Sequence, residues 1–393
     1  MSRPSRAVTA VLAAAIAALL ATAAGTAAVR RSPGTAGVDR PSRSSGRSGR
    51  VAEARLAPVI AELEAFVESA RGLRFVRPVD VKVLGDFAFR RTFSTGGAVD
   101  EPGADVEEGV LRALGLLGPG DDLGAASELD PDTVAGFYDS DTKELVVRGV
   151  ALTPFVREVL VHELTHALDD QHFDLARQVG DDEADLAFEA LVEGDAVAVE
   201  RRYLDSLPPA ERKQAEDEED ATFGGGNFAD QPETLLEVAE FPYGDGERFV
   251  DALLQAGGQA RVDAAFRAPP TTSAEVLHPE RFLAGRGRAP APPVAAGGRV
   301  VDEGVLGELV LRLVLAESVP DEDAGRAAAG WAGDRYVAWR GPGGRTCVRA
   351  SVVLDSAADA AELTTALRRW VAGHLGAQVE PAGPAAVTLG RCA

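Results

Sequence analysis

Cysteine is nearly absent from this 393-residue chain: Cys347 and Cys392 are its only two. That excludes a cysteine-rich framework, and in an exported chain it favours one disulfide, stapling the C-terminal end, over a metal site. Basic residues are also scarce, with 40 Lys and Arg against 62 Asp and Glu for a net charge of −22. Eight of those arginines and a single aspartate lie in residues 1–50, which leaves 32 basic against 61 acidic residues, or −29, on the rest. Such a surface repels phosphate backbones, and with no basic stripe or aromatic binding signature it argues against nucleic acid as a partner. No repeat at solenoid spacing occurs, and 46% hydrophobic with 26% charged residues excludes collagen, coiled coil and wholesale disorder. Histidine numbers only five, yet three fall within residues 162–172.

The chain opens with Arg3 and Arg6 before an uncharged run, residues 7–29, that ends in small residues ahead of Arg30 and Arg31. This reads as an export signal over residues 1–29. Its alanine and threonine content points to a cleaved signal rather than a retained membrane anchor, and either way the rest of the chain is expected outside the cytoplasm, secreted or envelope-associated. Residues 30–50, rich in Arg, Ser, Gly and Pro, have too little apolar content for a core and read as a flexible linker.

From Val51 onward, apolar residues at helical spacing (Leu56, Val59, Ile60, Leu63, Val67) predict a helix closed by Gly72, and residues 79–84 a strand. Residues 110–117 read as a short helix and 136–149 as a hairpin around "DSDT". Pro154 after Thr153 starts a helix to about Asp170, and residues 182–204 form the next. The charge run and triple glycine of residues 210–231 read as a mobile loop. Residues 246–266 and 304–317 read as helices, and strands at 335–340 and 346–354 with a helix at 357–372 make a small α/β module at the C-terminal end.

The stretch "LVHELTHALDDQ", Leu160 to Gln171, carries the chemistry. Residues four apart on a helix differ by about 40° in azimuth and about 6 Å in rise, so His162 and His166 present both imidazoles to one point. Zinc takes such nitrogen ligands. Glu163 lies about 100° round the helix, placed to take a proton from an activated water without binding metal, which makes it the general base. A buried pair of histidines with a glutamate and no ligand would be energetically costly, which argues against coincidence. A third ligand must come from elsewhere, and the next helix offers Glu183, Glu189, Glu193 and Asp195. Glu189 and Glu193 share a face, and Glu193 sits among apolar neighbours.

"HELTH" followed by a helix carrying "EGDA" resembles the gluzincin metallopeptidases, in which a glutamate on the second helix completes the zinc site. The resemblance implies Glu193 as the third ligand beside His162 and His166, with Glu189 in reserve. Thermolysin-like members place an aspartate four residues after that glutamate to orient a histidine; Val197 stands there in this chain, which leaves Asp195 or Asp169 for the role. "GFYDSDTKELVVRGVALTPFVREVLVHELTHALDDQHFDL", "PPTTSAEVLHPERF" and "GWAGDRYVAWR" are also similar to segments of uncharacterised exported bacterial proteins predicted to be zinc peptidases of the peptidase MA-like group. The implied fold class is α+β: a zincin-like metallopeptidase domain with a helical extension over residues 51–300 and the α/β module over 301–393. The implied function is a zinc metalloendopeptidase, a hydrolase acting on peptide or protein substrates, with an extended substrate along the edge of the 136–149 hairpin. The alternative is an exported, zinc-stabilised scaffold that has lost peptidase activity.

His278, Tyr138 and Tyr203 are candidate oxyanion donors. His172 reads as a helix-end histidine and His374 as a surface one. A di-iron reading of Glu163/His166 with Glu275/His278 fails because Pro270 and Pro279 hem in the second pair and His162 goes unexplained.

Overall fold

The computed structural model describes residues 45–96, 104–118, 120–121, 134–149, 152–223 and 232–393. The expected signal at 1–29 and most of the linker lie outside them. In chain order come α1 (Ser45–Arg71), β1 (Asp80–Leu84), α2 (Asp86–Gly96), α3 (Ala104–Leu114), β2 (Gly136–Asp139), β3 (Glu144–Arg148), α4 (Pro154–Phe173), α5 (Asp182–Ser206) and α6 (Pro209–Phe223). There follow α7 (Glu233–Gly257), α8 (Gln259–Arg267), the short α9 (Ser273–Leu277) and α10 (Pro279–Leu283), β4 (Val300–Gly304), α11 (Gly307–Ala316) and α12 (Asp321–Ala328). The C-terminal elements are β5 (Trp331–Arg340), β6 (Thr346–Leu354), α13 (Ala357–Gly373), β7 (Gln378–Gly383) and β8 (Ala386–Cys392). Helices with two separate sheets put the chain in the α+β class.

These elements form two compact units. The first holds α1, β1, α2, β2, β3, α4, α5 from Val192 onward, and α6; the second holds α3, α5 up to Leu191, and everything from α7.

In the first unit a three-stranded sheet runs β1-β3-β2, with β3 parallel to β1 and antiparallel to β2. Period-two alternation decides what covers each face. Leu145 and Val147 of β3 join a core with α1 and α4 (Leu56, Ile60, Leu63, Val67, Leu160, Leu164, Leu168), while Val146 faces Phe89 of α2 and Phe137 of β2. The β2–β3 turn is closed by Asp139, whose Oδ1 accepts from the backbone N–H groups of Asp141 and Thr142, both at 2.9 Å.

The second unit is built on an antiparallel five-stranded sheet of order β4-β5-β6-β8-β7. Cys347 of β6 and Cys392 of β8 are register partners joined by a disulfide with an S–S distance of 1.99 Å. Helix α3 covers this sheet: Gly109 lies against Thr346, and the Trp370 indole of α13 donates to the Leu114 carbonyl at 3.0 Å. Gly246 of α7 passes so close to α5 that an added Cβ would stand 2.2 Å from the Ala190 carbonyl oxygen.

Several expectations are corrected. The units do not part at residue 300, because α3 buries Val110, Ala113 and Leu114 and packs on the C-terminal sheet. Residues 45–50, read as linker, belong to α1. Residues 210–223, read as loop, belong to the helix Pro209–Phe223: Lys213–Asp217 and Gln214–Glu218 pair at i,i+4 spacing, and Ala215 is buried. The rest of that segment, 224–231, lies outside the described residues.

Candidate metal centre

Helix α4 starts where its sequence dictates. Thr153 accepts from the Val156 N–H at 3.4 Å, Pro154 fills the first turn, and Asp174 at φ 57° closes the far end. Unlike an ordinary amphipathic helix it is buried nearly all round, and its buried residues include Glu158, His162, Glu163, His166, Asp169 and Asp170. Six interior ionisable groups on one helix require partners.

The imidazoles of His162 and His166 stand edge to face, their centroids 4.7 Å apart at 83°. Across from them, on α5, Glu193 Oε2 is 3.1 Å from His162 Nε2 and 3.4 Å from His166 Nε2. Tetrahedral ligands at about 2.0–2.1 Å from zinc are about 3.3 Å from one another. The two separations bracket that edge, and all three candidate ligand atoms lie within 4.8 Å of one another. The buried His162–His166–Glu193 group could therefore bind a metal ion.

The electrostatics suit a cation. Burial would raise the Glu193 pKa, but His166 and His162 outweigh it and hold the carboxyl well below its usual range, so an anionic ligand is ready. For His162, burial opposes the charged ring, yet hydrogen bonds to Glu193 and Glu200 raise its pKa well above the ordinary value. His162 Nδ1 contacts Glu200 Oε2 at 2.9 Å, which fixes the ring and leaves Nε2 facing Glu193. His166 Nδ1, by contrast, is buried with no hydrogen-bond partner among the described residues.

Glu163 is buried beside the cluster but not part of it. Its Oε2 accepts from the Tyr138 backbone N–H of β2 at 2.8 Å. Burial pushes its pKa up against the opposing influence of His166 and His162, as suits a base.

Glu189, the reserve ligand, is buried one turn before Glu193 but stays outside the ligand cluster. Neither Asp169 nor Asp195 takes the histidine-orienting role assigned to them, since both carboxylates bind the Arg71 guanidinium. Glu200 fills that role. It follows Glu193 by seven residues, about two turns along the same helix face, and this spacing was the signal available in the sequence.

The oxyanion candidates fare differently from expectation. The Tyr138 hydroxyl donates to Asp170 Oδ2 at 2.7 Å, which ties it down, and Asp170 also accepts from Lys143 Nζ at 2.7 Å and the Leu175 N–H at 2.9 Å. Tyr203 is buried in the apolar core, edge-on to Phe66 with centroids 5.3 Å apart. His278, in the second unit, pairs through Nε2 with Glu308 at 2.7 Å. At the end of α4, His172 Nε2 meets the Arg74 carbonyl at 2.8 Å.

The family described as Domain of unknown function (DUF8575) matches residues 294–391, the segment of the five-stranded sheet. None of the curated proteins compared matches the chain. A solved structure from Chloroflexus aurantiacus, described as "a putative hydrolase with a novel fold", is 17% identical, covers 70% of this chain and 97% of its own, and has a TM-score of 0.39.

Proposed function

We propose that this chain is a zinc-dependent metallopeptidase of the gluzincin type, exported from the cytoplasm, with its first unit as the zincin-like domain. The observation that carries the reading is the convergence of His162, His166 and Glu193 at ligand spacing with Glu163 beside them and outside the ligand set. A structural zinc site is closed by four protein ligands and needs no adjacent base, whereas a catalytic one keeps three and a position for water. Zinc in this site would supply a Lewis acid and lower the pKa of a water molecule towards about 7.

The chain's own residues account for the proton transfers. Glu163, kept basic by burial and oriented by the Tyr138 amide, takes a proton from water and delivers it to the leaving amine nitrogen. Glu200 holds His162 in the tautomer that offers Nε2. β2 pairs with β3 along one edge and packs beside α4, so an extended peptide laid on its other edge would run past Glu163 by β-augmentation. No helix among the described residues is long and apolar enough to cross a membrane. The uncharged run at 7–29 supports export.

Bound zinc and cleavage of a broad peptide library, measured for the wild type and Glu163→Gln, test the reading. Expected are cleavage by the wild type and a loss of about 10²–10⁴-fold in the variant with zinc retained. A wild type that holds zinc but cleaves nothing would point instead to a zinc-stabilised scaffold.

A further inference from the structure

We propose that Arg71 is a positioning residue of the metal centre, a clasp that sets the spacing of the two ligand-bearing helices; this rests on the metal-centre reading above. Arg71 is the last residue of α1, and its side chain is fully buried. Its Nη2 and Nε donate to Asp169 Oδ1 at 2.9 and 3.1 Å, and Nε forms an ion pair with Asp195 Oδ2 at 2.5 Å. Asp169 stands three residues beyond His166 on α4, and Asp195 two beyond Glu193 on α5, so one guanidinium bridges the helices next to a ligand on each. Both carboxylates are as buried as the arginine.

The residue types fit this task. Only a planar guanidinium presents several donors in a fixed fork, so a point charge such as lysine could serve one carboxylate but not hold two at a set separation. In a dry interior the pairing is also all or nothing, because removing the cation strands two buried acidic groups.

The chain around Arg71 is secured independently of it. Gly72, at φ +73°, ends α1 at once, with its N–H bonded to the Glu68 carbonyl at 2.9 Å. Arg202 of α5 donates to the Ala70 carbonyl at 2.7 Å. Gln171 of α4 accepts from the N–H groups of Val76 at 2.7 Å and Arg77 at 3.0 Å. The backbone on both sides of Arg71 is thereby fastened to both ligand helices, which turns the buried guanidinium into a fixed spacer.

The test is zinc affinity by chelator competition, with the Co²⁺ ligand-field spectrum as a second readout, on folded full-length Arg71→Lys, Asp195→Asn and the exposed control Arg74→Ala. The expected result is zinc binding weakened about 10–100-fold and an altered Co²⁺ spectrum in the first two, with Arg74→Ala unchanged. Wild-type affinity and spectrum in folded Arg71→Lys would overturn the proposal; should that variant not fold, wild-type values in Asp195→Asn would do so. A wild type that takes up no metal is a separate result, which sinks the metal reading and this inference with it.

Discussion

Helices α4 and α13 are similar in length and both are capped by a hydroxyl, Thr153 in one and Ser356 in the other, yet their interiors differ in kind. α13 buries Ala360, Leu363, Ala366, Leu367 and Trp370, an apolar set whose one side-chain polar group, the Trp370 indole N–H, is met by the Leu114 carbonyl. α4 buries six ionisable groups among its apolar ones. A helix of the first kind is held mainly by apolar contact, whereas the second also has specific partners for its ionisable groups: Arg71 for Asp169, Tyr138 and Lys143 for Asp170, Glu200 and Glu193 for His162. The contrast separates a helix with an apolar interior from one that buries ionisable groups alongside its apolar core residues.

That contrast can be broken from either side. The largest stability effect belongs to α13: Leu363→Ala should cost about 2–5 kcal/mol by cavity formation, read as a lower Tm, while zinc bound per folded chain stays the same. A change in zinc content with this variant would erase the distinction. On the other side, Glu200→Gln should weaken zinc binding about 10–100-fold, measured by chelator competition, with little change in Tm. An unchanged affinity would mean that the Glu200 contact to His162 does not tune the ligand.

A dependence on pH sharpens the comparison within the second unit, which has a buried ionisable group of its own. Glu183 accepts from the Ser273 N–H and hydroxyl, both at 2.7 Å, and burial, with those bonds opposing, pushes its pKa up to about 8 from an ordinary value near 4.5. Because the folded pKa is the higher one, the folded chain keeps a proton that the unfolded chain releases between those limits. Stability is therefore lost as pH rises from about 4.5 to about 8, by at most about 1.4 kcal/mol per pH unit. Tm measured across that range should fall less steeply in Glu183→Gln, and equal slopes would contradict the assignment.

Much of the site was legible in the sequence because it is local. Thr153 and Pro154 mark the start of α4, and the four-residue spacing of His162 and His166 follows from helix geometry. Glu193 needed both its apolar setting and the family resemblance to stand out from Glu189. Glu200 lay within reach, two turns along the same face. Arg71 did not, since its role depends on how α1 lies across α4, and nothing local at the end of a helix announces a partner 98 residues away. Similar reasoning explains the fold. β7 carries Pro381, which masks strand alternation but is tolerated on a sheet edge. The charge-rich α6 reads as loop until its i,i+4 pairs are counted.

The central claim is that His162, His166 and Glu193 form one metal site, and zinc stoichiometry tests it most directly. Purified wild type should hold one zinc per chain, and His162→Ala and Glu193→Ala should hold close to none while remaining folded. Equal zinc content in all three proteins would contradict the account.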